Sequence, residues 1–123
     1  MIKSKKLSKL KNVKHAFFNR LGGKSAGIYK SLNCGTGSFD MKKNVSKNLK
    51  IVCNQIGSNT KKIILLNQIH SNKFLFIDKN SKSMNKKFKG DALVTNRTNT
   101  PIAILTADCA PILIHDQGKK MIA

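Results

Sequence analysis

An α+β or mixed α/β fold is what the order of elements along this chain predicts. Three observations carry that reading. One long stretch, residues 41–56, repeats apolar side chains at helical spacing, and five short apolar runs of strand length follow it. The length, 123 residues, accommodates one domain and not two. Pro101 and Pro111 both stand at the starts of apolar runs, where a missing N–H is tolerated.

The elements follow in order. Residues 1–11 are rich in lysine and are expected to be flexible. The run V-K-H-A-F-F-N at 13–19 reads as a strand, and the glycines at 22, 23 and 27 mark a loop after it. Residues 29–35 continue in irregular structure. In the helix, Asp40 is the expected N-cap, its carboxylate accepting from the free N–H groups of the first turn. Val45, Leu49, Val52, Cys53 and Ile56 share one face and are expected to be buried, and Gly57 supplies the stop. The apolar runs 63–66, 74–77, 92–95, 102–105 and 112–114 read as strands, with a basic loop at 79–89. The closing M-I-A at 121–123 resembles the opening of a further strand. The expectation is therefore a single domain, 1–123, incomplete at its carboxy end.

Charge excludes less than it first promises. Lys and Arg number 24 against five acidic residues, a formal balance of +19. Such a chain is drawn to any polyanion in a salt-dependent way. Only Arg20 and Arg97 are arginines, however, and the planar guanidinium is what reads bases and phosphates bidentately. The lysines are scattered and accompany many Asn and Ile residues, as a codon bias toward A and T would produce. No specific nucleic-acid partner is expected. No apolar stretch is long enough to span a bilayer, and no apolar segment of a secretory signal follows the basic start. The expected compartment is the cytoplasm. Three cysteines, Cys34, Cys53 and Cys109, are an odd number, which argues against a disulfide framework. Cys53 lies on the apolar helix face and reads as core.

Two segments place polar or metal-capable groups where strands end: N-Q-I-H at 67–70 and T-A-D-C-A-P at 106–111. Sites are often built where chains leave a rigid sheet. His70 as neutral imidazole and Cys109 as thiolate are both good zinc ligands. Taken singly, a surface histidine and a packed cysteine are the commoner explanations. His115 is no substitute ligand beside Cys109: six extended steps separate them by about 20 Å, whereas ligands of one ion sit about 2 Å from it. It reads as a strand-end surface residue, and His15 as a packed histidine.

The order of the motifs adds to this. H-A-F-F-N-R-L-G-G-K-S at 15–25 resembles the H-G-F-F-T-R-x-G-G-x-S opening of the YfiH/PgeF family, the so-called laccase-domain proteins. G-I-Y-K-S-L-N-C-G at 27–35 is similar to its G-x-Y-x-S-L-N-x-G, and N-Q-I-H-S at 67–71 to its Q-V-H-G. G-D-A-L-V-T at 90–95 resembles A-D-A-L-V-T, and T-A-D-C-A-P-I-L at 106–113 resembles T-A-D-C-x-P-V-L. The resemblance covers nearly the whole chain in the right order.

It implies an α+β fold with a mixed sheet and flanking helices. It implies purine nucleoside phosphorylase activity toward inosine, adenosine or methylthioadenosine with phosphate, adenosine deaminase activity, and in bacteria an editing amidase role on peptidoglycan precursors. It implies a zinc centre made by the His of Q-V-H, the Cys of T-A-D-C and a His of a following H-A-G-W-R-G. The first two are His70 and Cys109, which are also the implied catalytic residues. The third would lie beyond Ala123. The copper of the laccase label is not expected, since a blue-copper site wants two His and a Cys with an axial ligand, and no such cluster is visible.

Arg20, Asn33 and Asp108 are candidate substrate contacts: Arg20 for a phosphate or a ribose hydroxyl, Asp108 for ligand orientation or proton transfer. Against these stand a solvated loop arginine and a turn-forming aspartate. Gly22 and Gly23 either make a turn or cradle a phosphate, and Cys34, at a position usually apolar in the family, reads as packing. The expected partners are a nucleoside and phosphate, with no membrane, and a monomer when complete. The rival readings are an inactive fragment of such an enzyme and a basic nucleic-acid-binding module.

Overall fold

A computed structural model describes residues 1–60, 62–81 and 88–123. The chain divides into two compact units, Met1–Lys62 and Ile63–Ala123.

The first unit is built on the helix α1, Lys42–Gln55, within one residue of the expected span at each end. Its stop is as expected. Gly57 takes φ +65, its N–H bonds Asn54 O at 3.0 Å, and the Ser58 N–H reaches back to Cys53 O at 3.0 Å. That crossed pair satisfies carbonyls the helix end would leave free. The start differs from expectation. Met41 is the N-cap residue and no side chain caps the helix. The Asp40 carboxylate instead accepts from the Met41 N–H at 2.7 Å and the Asn33 amide at 3.0 Å, which draws it back toward the preceding loop.

The buried face also differs in part. Val45, Val52 and Cys53 are buried, but Leu49 and Ile56 are only half-buried, and the fully buried polar Asn48 stands between the valines. Before the helix, the strand expected at 13–19 reduces to one antiparallel bridge, Ile2 with Phe17. A short 3-10 turn, Leu7–Lys9, occupies the amino-terminal segment. His15 is half-buried and its Nε2 accepts the Ser4 N–H at 2.9 Å, in keeping with a packed histidine.

The second unit holds a mixed four-stranded sheet in the order β1-β2-β4-β3. Strands β1, Phe74–Ile77, and β2, Ala92–Thr95, run parallel with Phe74 opposite Ala92 and Ile77 opposite Thr95. Side chains alternate as a strand requires. Leu75 and Ile77 turn toward the core and Phe74 and Phe76 away from it. Leu66, Ile77 and Leu93 form that core, with Ile64, Leu75 and Ile102 packed against it. Burying one such aliphatic side chain contributes about 1.5–3 kcal/mol. Buried Thr95 donates its hydroxyl to Ile77 O at 2.7 Å, so the polar atom carries no penalty.

β3, His115–Asp116, and β4, Met121–Ile122, form a hairpin that joins the sheet through Ile122 opposite Thr95. Met121 and Ile122 of the closing M-I-A thus form a strand. The expected strands at 63–66 and 102–105 meet at a single parallel bridge, Ile64 with Ile102. The run 112–114 forms none. Pro111 has no N–H to offer, and pairing begins only at Ile114, which exchanges two bonds with Ala123. Most of the expected loop at 79–89, residues 82–87, lies outside the described residues.

Candidate functional site

The glycine loop of the first unit is organised around Asn48. Its side-chain oxygen accepts the Lys24 N–H at 2.7 Å. Its two amide hydrogens are divided among Ser25 Oγ at 2.9 Å, Asn33 O at 2.7 Å and Ser31 O at 3.2 Å. Ser31 closes the loop from the other side, its N–H and hydroxyl both donating to Arg20 O. Gly23 lies so near this strand of loop that a β-carbon would sit 2.0 Å from Ser31 O. The N–H groups of Leu21, Gly23, Lys24 and Ser25 are each engaged with an oxygen of the chain. These four are not presented to an anion, and Gly22, at φ +88, turns the chain.

Two candidates stand on this loop. Arg20 is exposed and its Nε donates to Lys30 O at 2.8 Å. That bond aims the guanidinium and, among the described residues, leaves both terminal nitrogens without a partner. Asn33 is a brace: its amide donates to Ser38 Oγ and Asp40 Oδ2, and its oxygen accepts the Gly35 N–H. Hydrogen bonds from Ser25, Asn33 and the Met41 N–H hold the Asp40 carboxyl below its usual range against an opposing effect of burial. Cys34 is half-buried, and burial, with the neighbouring Cys53, pushes its thiol up to about 11. It packs, as expected, and so does fully buried Cys53.

In the second unit the two motif segments are tied together. Gln68 donates its amide to Leu105 O at 2.8 Å and accepts the Leu105 N–H at 2.8 Å, a two-bond clasp across 37 positions. Leu105 immediately precedes the T-A-D-C segment. His70 and Cys109 are exposed, and Cys109 is a free thiol. No side-chain hydrogen bond engages either group among the described residues. Asp108 is exposed beside Cys109. His70 at φ 56 and Asp108 at φ 69 both occupy the left-handed region. That region costs a residue with a β-carbon about 1–2 kcal/mol, so such residues cluster where the surroundings enforce them.

The backbone around His70 is bonded to Asp91. Its Oδ1 accepts the N–H groups of Ile69 at 3.1 Å and His70 at 3.0 Å. Its Oδ2 accepts the Ser71 N–H at 2.7 Å and the Ser71 hydroxyl at 2.8 Å. Desolvation pushes this carboxyl up, but the bonds from Ser71, His70 and Ile69 outweigh it and the carboxyl lies below its usual range. Neither Asp91 nor Asn48 was singled out from the sequence. A signal existed for Asn48, a polar residue at helical spacing between Val45 and Val52 on the apolar face.

Among the described residues no three His, Cys, Asp or Glu side chains gather where they would hold a metal ion. A cavity of about 360 Å³ in the first unit, lined in part by Lys3, Lys14 and His15, contains none of the candidates.

The sequence model of the family described as multi-copper polyphenol oxidoreductase laccase matches residues 14–123. The chain belongs to that family. Within it, the chain is 34% identical over 111 residues to a purine nucleoside phosphorylase of Corynebacterium glutamicum, covering 90% of this chain and 45% of that protein. It is 29% identical over 129 residues to a purine nucleoside phosphorylase of Bacteroides thetaiotaomicron, covering all of this chain and 48% of that protein. The chain thus spans about half the length of these relatives.

The solved structure of YfiH from Bacillus licheniformis superposes with a TM-score of 0.73 at 24% identity, over 82% of this chain and 40% of that one. Protein NMB0706 of Neisseria meningitidis superposes at 0.69 with 34% identity, over 84% and 40%. The YfiH-type resemblance read from the motifs and the mixed-sheet fold are both upheld. No helix among the described residues is long and apolar enough to cross a membrane.

Proposed function

We propose that this chain is the amino-terminal part of a zinc-dependent purine nucleoside phosphorylase that takes a nucleoside and phosphate as substrates and also deaminates adenosine. The observation that carries the reading is the clasp of Gln68 on Leu105, which joins the segments bearing His70 and Cys109. The names of the curated relatives support the reaction class.

The donor chemistry suits zinc: an imidazole and a thiol, both exposed and, among the described residues, neither engaged by another side chain. His70 and Cys109 would hold the ion together with a third ligand from outside the described residues. When bound, zinc supplies Lewis-acid polarisation and a nucleophile usable at neutral pH. The remaining roles belong to each unit by itself. In the first unit, the terminal nitrogens of Arg20 offer donors to a phosphate or a ribose hydroxyl. The Asp108 carboxylate, adjacent to Cys109, orients a substrate group or moves its proton. Asn33, held inside its loop, contributes by shaping that loop and through its one remaining acceptor lone pair. A compartment with reduced thiols, the cytoplasm, suits an exposed Cys109.

The test compares this chain with the same chain fused to the sequence that follows the matched region in the Corynebacterium glutamicum relative. Zinc stoichiometry and hypoxanthine release from inosine with phosphate are measured in both. The fused form should turn over inosine and lose that activity on His70→Ala or Cys109→Ala. The 123-residue chain, with two ligands, should hold far less than one zinc. Full turnover in both fused variants would refute the assignment.

A further inference from the structure

We infer that Asp91 is a positioning residue for His70, acting through the backbone of residues 69–71; the inference rests on the reading of His70 as a functional residue. One carboxylate accepts three consecutive N–H groups and a hydroxyl from a segment twenty or more positions away. A turn seldom recruits so much from one distant side chain unless its conformation matters, because the local chain could satisfy the same donors with water.

The surroundings fix Asp91 as firmly as it fixes the loop. Its own N–H donates to Lys73 O at 2.9 Å. Gly90, just before it, donates to Asn67 O at 3.1 Å, and the Asn67 N–H donates to Phe88 O at 2.8 Å. Gly90 is pressed against the loop so closely that a β-carbon would stand 2.9 Å from Lys73 O. The loop 67–73 therefore wraps Asp91 from both ends, and Asp91 leads directly into β2, whose Leu93 lies in the core. The rigidity of the sheet is passed to His70 through the carboxylate. His70 is then held in the left-handed region, which sets the direction of its Cα–Cβ bond before any ligand arrives. Supporting partners of this kind orient metal ligands and tune their affinity.

The experiment uses the full chain with Asp91→Ala and Asp91→Asn. Three readouts are taken: the intraresidue NOE between the His70 amide and α protons, which is strong in the left-handed region; amide exchange at 69–71; and a zinc titration followed by competition with a chromophoric chelator. In Asp91→Ala the NOE should weaken, exchange at the three amides should quicken, and the apparent zinc affinity should fall about tenfold. Asp91→Asn, which keeps one acceptor oxygen, should fall between it and the parent. If the alanine variant does not fold, the asparagine variant carries the same readouts. Parental NOE, exchange and affinity in the folded variants overturn the inference. His70→Ala is measured alongside. Unchanged zinc affinity in that variant would remove His70 as a ligand, while the NOE and exchange would still decide whether Asp91 holds the loop.

Discussion

Replacing Asn48 by alanine takes one side chain out of the centre of the first unit and leaves four groups to find other partners. The Lys24 N–H loses its acceptor, and Ser25 Oγ, Ser31 O and Asn33 O lose a shared donor. Asn48 is 0% exposed and Ser25 is 5% exposed, so water reaches the vacated position only if the loop opens. A net loss near 1 kcal/mol for each bond, and 1–3 kcal/mol for a partner that stays buried and unpaired, gives about 3–5 kcal/mol. That is a large part of the stability of a small domain and shifts a melting midpoint by roughly 15 °C or more.

Asn48→Asp separates the contributions. It keeps an acceptor for Lys24, but turns a second oxygen toward the Ser31 and Asn33 carbonyls in a site closed to solvent. It should be at least as damaging as alanine at neutral pH and should recover on acidification as the carboxyl takes a proton. The assay is urea denaturation followed by circular dichroism, with amide exchange at Lys24 and Ser31 reporting on the loop. A loss under about 1 kcal/mol for alanine, with exchange unchanged, would show that the loop is held by something else.

Three further outcomes are expected. Val52→Asp should destabilise the helix face far more than Leu49→Asp, because Val52 is 7% exposed and Leu49 is only half-buried; equal melts for the two would contradict the observed face. Stability should fall at both ends of the pH scale. Asp78, like Asp40, is held below the usual carboxylate range, by the Ser81 hydroxyl and the Asn80 N–H; below about pH 4 both protonate and their contribution, full above the unfolded value, is lost. Above about pH 8.5 the unfolded chain ionises Cys34 while the folded one, with its thiol raised to about 11, does not, so stability declines until that value is passed; Cys34→Ala should flatten this limb in a pH series of denaturation curves. A fluorescent RNA should bind weakly and lose affinity steeply with salt, as any chain at +19 does; sub-micromolar binding at physiological salt in a polarisation assay would point to a dedicated site.

Local pattern made much of this protein legible before its structure. The helix, its glycine stop, and strands β1 and β2 follow from spacing and composition over a few residues, which is the scale on which periodicity reports burial. The motif order led to the family and to His70 and Cys109 as the residues of interest. The tertiary structure decided what the side chains between those landmarks do. Asn48 interrupts an apolar face, and only its position beneath the glycine loop makes it the hub of Lys24, Ser25, Ser31 and Asn33. Asp91 stands in a motif like any residue before a strand until the loop at 69–71 is seen folded onto its carboxylate. The runs at 63–66 and 102–105 are apolar enough for strands, yet they touch at one bridge, because a ladder needs a partner in register and that partner is chosen by the whole unit. Period and composition act between neighbours in sequence. Hydrogen-bond partners such as Gln68 and Leu105, 37 positions apart, are fixed only when the core brings their segments together.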